Sequence, residues 1–125
     1  MTLLAPCSIG DLLDRITILR IKVRRSAPSQ RPNVQRELER LCACWPRLEA
    51  GDEPEMAELS DVNLLLWEVE DQLRAAEAAL RFDAEFVTRA RSVYRLNDRR
   101  AALKRTINLR LGSELMEEKI HPVYP

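Results

Sequence analysis

The chain has 125 residues, of which 46% are hydrophobic and 32% charged, and its 20 basic and 20 acidic side chains give a formal net charge of zero. This size and composition are typical of one globular domain with its own core, and they exclude a disordered chain. The longest apolar run, Leu64 to Trp67, is too short to cross a bilayer, and Met1 to Ala5 lacks the regions of a signal peptide. We therefore expect a single cytoplasmic domain, residues 1–125, without membrane association.

The positions of the cysteines argue against a metal site, and the uneven distribution of charge suggests two possible roles for the charged residues. Cys42 and Cys44 lie two positions apart, about 200° around a helix, so they are not expected to bind one metal ion, and Cys7 has no partner nearby in sequence. The segment 81–110 carries nine basic and three acidic residues, whereas 33–79 carries four basic and twelve acidic residues. This asymmetry predicts complementary packing between the two segments or a cationic surface for an anion.

The first predicted helix covers residues 9–25, with Ser8 as its N-cap and Ser26-Ala27-Pro28 after its end. An apolar stripe indicates a core-facing side; it contains Ile9, Leu12, Leu13, Ile16, Leu19 and Val23. A second stripe about 120° away is mostly polar and contains Asp11, Arg15, Ile18 and Lys22, with Asp14 at its edge.

The second predicted helix, 33–49, has one apolar stripe, and Pro46 should kink it or end it early. The third, 57–80, has the clearest core face, formed by Leu59, Val62, Leu66, Val69, Leu73 and Leu80. A polar flank runs beside that face, with Asp71 just outside it, and contains Asn63, Trp67, Glu70 and Arg74.

The fourth predicted helix, 83–111, is the longest, with Asp83 as N-cap and Gly112 as the left-handed stop. One of its faces is apolar from Phe86 to Tyr94 and then turns polar, with Asn97, Arg100, Lys104 and Asn108. The short link at 81–83 predicts an antiparallel pairing of the third and fourth helices. The sequence thus predicts an all-α fold, an antiparallel four-helix bundle with a C-terminal tail, 113–125.

The candidate functional residues lie on the polar flanks of the helices, because the usual catalytic motifs are missing. No glycine lies in a phosphate-binding loop, and the single histidine, His121, lies in the tail. The candidate ligand-binding residues are Asp14, Arg15, Lys22, Asn63, Trp67, Glu70, Asp71, Arg74, Tyr94, Asn97, Arg100, Lys104 and Asn108. The alternative is a buried polar network, in which Glu70 or Asp71 pairs with Arg100 or Lys104 between the last two helices.

Three blocks of the sequence resemble a family of small bacterial proteins known as a domain of unknown function. They are SIGDLLDRITIL at 8–19, VNLLLWEVED at 62–71 and ARSVYRLND at 90–98, followed by Lys104, Ile107-Asn108 and Gly112-Ser113. The resemblance implies that most of the polar candidates belong to the family pattern, together with Thr17. It also implies an association with glycosyltransferases of envelope polysaccharide synthesis. The family usually has Ser-Tyr after the tail's Glu-Glu-Lys, where this chain has Ile120-His121-Pro122-Val123-Tyr124.

Three functional interpretations are open. The first, which we favour, is a non-catalytic binding or accessory protein without a cofactor, linked by the resemblance to polysaccharide glycosylation. The second is a Mg²⁺-dependent enzyme acting on a phosphorylated small molecule or nucleotide. In that enzyme Asp14, Glu70 and Asp71 would hold the ion, and Arg100 and Lys104 would bind phosphate. The third is a structural protein-interaction bundle.

The partners that we expect are a second copy of the chain and a small anionic ligand or protein. A homodimer is predicted through the overhanging part of the last helix, because this helix is longer than the others and Ile18 is apolar on the polar side of the first helix. Nucleic acid is not an expected partner, since Asp98 interrupts the arginines of the last helix and aromatic residues are few.

Overall fold

A computed structural model describes residues 1–125, and it is helical throughout its regular structure. The four α-helices are α1 (Ile9–Arg25), α2 (Arg31–Ala43), α3 (Glu55–Ala78) and α4 (Ala84–Leu111). A short 3-10 helix (Pro46–Ala50) lies between α2 and α3, and there is no strand. The predicted all-α class with four helices is confirmed. None of these helices combines the length and the apolar composition that crossing a bilayer requires.

The ends of α1 and α4 follow from their capping residues. The side chain of Ser8 accepts a hydrogen bond from the Asp11 N–H at 3.0 Å, and Asp83 accepts one from the Phe86 N–H at 3.0 Å. Each bond satisfies a main-chain donor that a helix start leaves without a partner. Gly112 has φ = 67°, a left-handed conformation that favours glycine and ends α4. These boundaries match the prediction to within one residue.

The predicted span of the second helix, 33–49, extends too far, whereas the predicted early end at Pro46 is confirmed. The helix begins earlier, at Arg31, with Pro32 in its first turn, and it ends at Ala43. Pro46 lacks an N–H and cannot continue an α-helix from the preceding turn, so the chain forms the 3-10 helix Pro46–Ala50 instead. The third helix also differs slightly from the predicted 57–80, since it spans Glu55–Ala78 and Leu80 adopts a left-handed φ of 52°.

The core is built around α1, which packs against α2, α3 and α4. The helices α3 and α4 also pack against each other, whereas α2 contacts only α1 and the 3-10 helix. The central cluster consists of Leu12, Leu13, Ile16, Met56, Leu59 and Ile107. Three of these residues come from the predicted apolar stripe of α1, so this stripe forms the centre of the fold.

Candidate ligand-binding site

A buried polar network joins α1, α3 and α4. Asp14 is 1% exposed, and its carboxylate accepts hydrogen bonds from Arg100 Nε at 3.0 Å and from Arg100 Nη2 at 2.5 Å. The Asn63 Nδ2 group donates to Asp14 Oδ1 at 2.9 Å and to Thr17 Oγ1 at 3.0 Å. The Thr17 hydroxyl in turn donates to the main-chain oxygen of Asp14 at 2.7 Å. Asp14, Thr17 and Asn63 thus each have a hydrogen-bond partner inside the protein, as buried polar residues require.

The partner of Arg100 differs from the sequence expectation. Glu70 and Asp71 are exposed on α3, and neither pairs with Arg100 or Lys104, so the predicted pairing between the last two helices is wrong. Asp14 supplies the carboxylate because α1 packs against both α3 and α4. Its hydrogen bonds raise the pKa of the Arg100 guanidinium above the usual value, against the opposing effect of burial.

Lys104 forms a second charged cluster nearer the end of α4. Its Nζ atom lies 2.7 Å from Asp11 Oδ1 and 2.6 Å from Glu117 Oε2. Burial lowers the pKa of the Lys104 ammonium group, but the hydrogen bonds to both carboxylates outweigh it and leave a net increase. Hydrogen bonds from Lys104 and Lys119 lower the pKa of Glu117 to about 2. The C-terminal tail therefore folds back onto α4 through Glu117.

The beginning of α1 lies against the end of α4. The Asn108 side-chain oxygen accepts a hydrogen bond from the Gly10 N–H at 2.6 Å, and the Ser113 hydroxyl oxygen accepts one from the Ile9 N–H at 3.1 Å. A Cβ atom on Gly10 would lie only 2.6 Å from the main-chain oxygen of Lys104. Glycine at this position therefore permits the close approach of the two helices, and Asn108 has a structural role.

A polar cleft opens beside the Asp14 network, with a volume of about 200 Å³. Five predicted candidates line it together with Ile18, Ile21 and Leu66, namely Asn63, Trp67, Glu70, Asn97 and Arg100. Arg100 uses Nε and Nη2 for Asp14, while its Nη1 group makes no hydrogen bond within the chain. The cleft thus combines an indole ring with amide, carboxylate and guanidinium groups.

Trp67 also lines a second, basic groove of about 490 Å³. Lys22 and Arg25 of α1 supply its cations, and the first turn of α2 supplies Asn33 and Val34. The Arg25 guanidinium lies 5.7 Å from the centroid of the Trp67 ring and 3.6 Å from Glu68. Trp67 is therefore shared between the polar cleft and the basic groove.

Other predicted candidates lie elsewhere. Arg15 pairs with Glu37 of α2 at 3.6 Å, and Asp71 and Arg74 are exposed without a hydrogen bond or ion pair. Tyr94 lines a third groove, of about 460 Å³, between α4 and the tail, where its ring lies 6.5 Å from that of Tyr124. Successive residues of one helix face in different directions, so a helical repeat brings only part of a polar set to one cleft.

Arg25 and Glu117 were not among the candidates predicted from the sequence. Arg25 is the last residue of α1, where a basic residue also fits an ordinary helix end, so its sequence position did not indicate a groove. Glu117 is in the tail, and only the tail's return along α4 brings it to Lys104. One sequence signal could have indicated the close approach of α4 to Gly10, namely a glycine within the first turn of a helix.

The acidic residues are dispersed rather than clustered. No group of three or more His, Cys, Asp or Glu side chains is placed to hold a metal ion. Asp14 uses both carboxylate oxygens for Arg100, and Glu70 and Asp71 are not gathered beside it. The magnesium-dependent interpretation stays a prediction, and it requires a rearrangement of this network.

Comparison with known proteins identifies a family. No curated protein and no solved structure matches the chain. A family model described as Family of unknown function (DUF6165) matches residues 4–123, a range that includes every candidate residue named above. The predicted resemblance to a family of unknown function is confirmed at this level, whereas the link to polysaccharide synthesis stays a prediction. The chain therefore belongs to the family of unknown function DUF6165.

Proposed function

We propose that this protein is a cytoplasmic, non-catalytic binding protein whose ligand is a phosphorylated sugar or a sugar nucleotide. The observation that carries the proposal is the position of Trp67, which lines both the polar cleft and the basic groove. A ligand with a polar ring and an anionic group could therefore occupy both volumes and contact one side chain at the centre.

The polar cleft has the groups that bind a hydroxylated ring. Neither Glu70 nor Asn97 makes a hydrogen bond within the chain, so a carboxylate is free to accept from ligand hydroxyls and an amide is free to donate and accept. The two Nη1 donors of Arg100 add a charged donor whose position Asp14 fixes. The indole of Trp67 supplies an apolar surface for the ring.

The basic groove has the groups that bind an anion. Lys22 is exposed and makes no ion pair, and Arg25 has only an exposed partner, Glu68, at 3.6 Å. An exposed pair of this kind contributes about 0–1 kcal/mol, so a phosphate group can displace Glu68 at little cost. Arginine binds phosphate with two parallel hydrogen bonds, which favours a phosphate over a single-atom anion.

We also propose that the four helices form an antiparallel bundle. Glu55, at the start of α3, pairs with Arg110, near the end of α4, at 2.7 Å. Gly10, at the start of α1, contacts Asn108, near the end of α4. Both contacts join the beginning of one helix to the end of another, which supports the antiparallel order.

The purely structural interpretation explains only part of the polar set. The hydrogen bonds of Asp14 to Asn63 and Arg100 fit a role in fixing the packing of α1 between α3 and α4. Lys22, Glu70 and Asn97 have no partner in the chain, and this difference favours a binding role for the groups around Trp67.

Trp67 provides its own optical probe. The chain has two tryptophans, Trp45 and Trp67, so Trp45→Phe leaves Trp67 as the single source of tryptophan fluorescence. In this background we expect sugar phosphates or sugar nucleotides to change the fluorescence of Trp67. A ligand at about one hundred times its Kd adds about 2.7 kcal/mol to the free energy of unfolding. This stabilisation should raise the midpoint of thermal unfolding by several degrees.

Matched variants distinguish the groove from general electrostatic attraction. Lys22→Met should weaken binding by about tenfold, a loss of about 1.4 kcal/mol. Arg24→Met removes the same charge outside the groove and should change the Kd by less than about twofold. Equal losses in the two variants, or no response to any sugar phosphate, sugar nucleotide or inorganic polyphosphate, would contradict the proposal. Turnover that requires Mg²⁺ would instead support the enzyme interpretation.

A further inference from the structure

The side chains of α3 and α4 near the 79–83 link are mostly exposed to solvent. Between residues 71 and 93, which we call the distal segment, the only buried residue is Ala76. Leu80, Phe82 and Val87 are 77%, 55% and 52% exposed, and Phe82 stacks edge-on against the half-buried Phe86 with ring centroids 5.2 Å apart. These side chains form an apolar patch at one end of the molecule, of the kind that marks an interaction surface.

The total surface of the chain is large for its mass. The accessible area is 8783 Å² for 14.4 kDa, whereas a compact monomer of this mass exposes roughly 6,800 Å². Residues 1–7, most of the tail and most of the distal segment are exposed. A stable protein interface needs about 800 Å² from each partner, which is well within this excess.

The charges of the distal segment are complementary to themselves. Asp71 and Glu77 of α3 are acidic, and Arg74 of α3 and Arg91 of α4 are basic. None of these four side chains forms an ion pair within the chain. These two acidic and two basic side chains balance each other, so two copies related by a two-fold rotation can pair them across an isologous interface, which needs such self-complementarity.

We propose that a second copy of this chain covers the distal segment. The two copies are related by a two-fold axis, and the distal parts of α3 and α4 from each copy form an intermolecular four-helix bundle. Its apolar centre consists of Leu73, Leu80, Phe82, Phe86 and Val87. The dimer is independent of the ligand site around Trp67, which lies outside the distal segment.

Sedimentation equilibrium of the full chain tests the proposal. Two copies of a 14.4 kDa chain give 28.8 kDa, and we expect this mass at concentrations of about 10–100 µM. Val87→Glu places a charge in the proposed interface and should raise the dimer Kd at least tenfold, with Phe82→Glu acting in the same direction. Because both side chains are exposed in the single chain, the variants should keep their helical circular dichroism.

Leu109→Glu is the matched control, since Leu109 is 65% exposed on the same helix but lies outside the distal segment. It should leave the dimer Kd within about twofold of the original. A mass of 14.4 kDa at all concentrations would overturn the proposal and leave the patch to a different protein. A trimer or larger assembly would overturn it too, as would equal effects of Val87→Glu and Leu109→Glu.

Discussion

Removing the counter-ion of Asp14 should be among the most damaging single changes in this protein. Arg100→Met keeps the length of the side chain but leaves the carboxylate of Asp14, which is 1% exposed, without a positive partner. Breaking a buried ion pair from one side typically costs about 3–5 kcal/mol. The unfolding entropy of a chain of this length is about 0.26 kcal/mol/K, so the midpoint should fall by about 11–19 °C.

Replacing Asp14 should destabilise the protein less than replacing Arg100. Asp14→Asn removes the buried charge, and Arg100, whose side chain is 29% exposed, can then turn its guanidinium to water. We expect a loss of about 1–3 kcal/mol from the missing charged hydrogen bonds. The double variant Asp14→Leu with Arg100→Met removes both charges and should recover much of the stability lost in Arg100→Met alone.

Urea unfolding followed by circular dichroism measures all three variants against the original chain. The reasoning is refuted if Arg100→Met costs less than about 1 kcal/mol, or if the double variant is as unstable as Arg100→Met.

Four other changes test separate contacts by urea unfolding. Gly10→Ala should destabilise the protein by about 1–3 kcal/mol, because the new Cβ would lie 2.6 Å from the main-chain oxygen of Lys104. Gly112→Ala has free space around it and should cost only about 1 kcal/mol, the conformational penalty of a positive φ. Glu117→Gln should cost about 1 kcal/mol at neutral pH, since this carboxylate is partly exposed. Ser8→Ala should cost about 1 kcal/mol through the lost N-cap of α1.

The contribution of Glu117 depends on pH with a defined sign. The pKa of this carboxyl falls from 4.5 to about 2 in the folded protein. Its contribution is therefore fully present above about pH 4.5 and is lost as the pH falls towards about 2. The difference in free energy of unfolding between the original chain and Glu117→Gln should therefore become smaller as the pH falls over this interval. A difference in unfolding free energy that stays constant with pH would contradict the contact between Glu117 and Lys104. A loss of stability in Gly112→Ala that exceeds the loss in Gly10→Ala would contradict the close packing of α1 and α4.

Local signals in the sequence predict where most helices of this fold begin and end. They do not predict which residues from distant parts of the chain pair with each other. Ser8, Asp83 and Gly112 determine the ends of α1 and α4 because each satisfies or stops main-chain hydrogen bonds within four residues. Pro46 also has a local effect, and its ability to end α2 early outweighs the apolar repeat that continues to Leu48.

The pairing of Arg100 with Asp14 needs information that a helical repeat does not contain. Either α1 or α3 could have supplied the carboxylate, and only the position of α1 between α3 and α4 selects Asp14 over Glu70. The same limit applies to the candidate site. Periodicity placed Asn63, Trp67 and Glu70 on one flank of α3, whereas the second groove beside Trp67 depends on how α1 and α2 meet.

The hydrogen bond between Gly10 and Asn108 has a consequence for the synthesis of the chain. The two residues are 98 positions apart, and the ribosome adds about 5–20 residues per second. The first helix therefore waits roughly 5–20 s for the helix against which its first turn packs. During that interval Leu13, Ile16 and the main chain of Gly10 lack part of their final cover. A nascent chain released before Asn108 should be captured by chaperones, and a circular permutant that begins at α4 should form this contact without the delay.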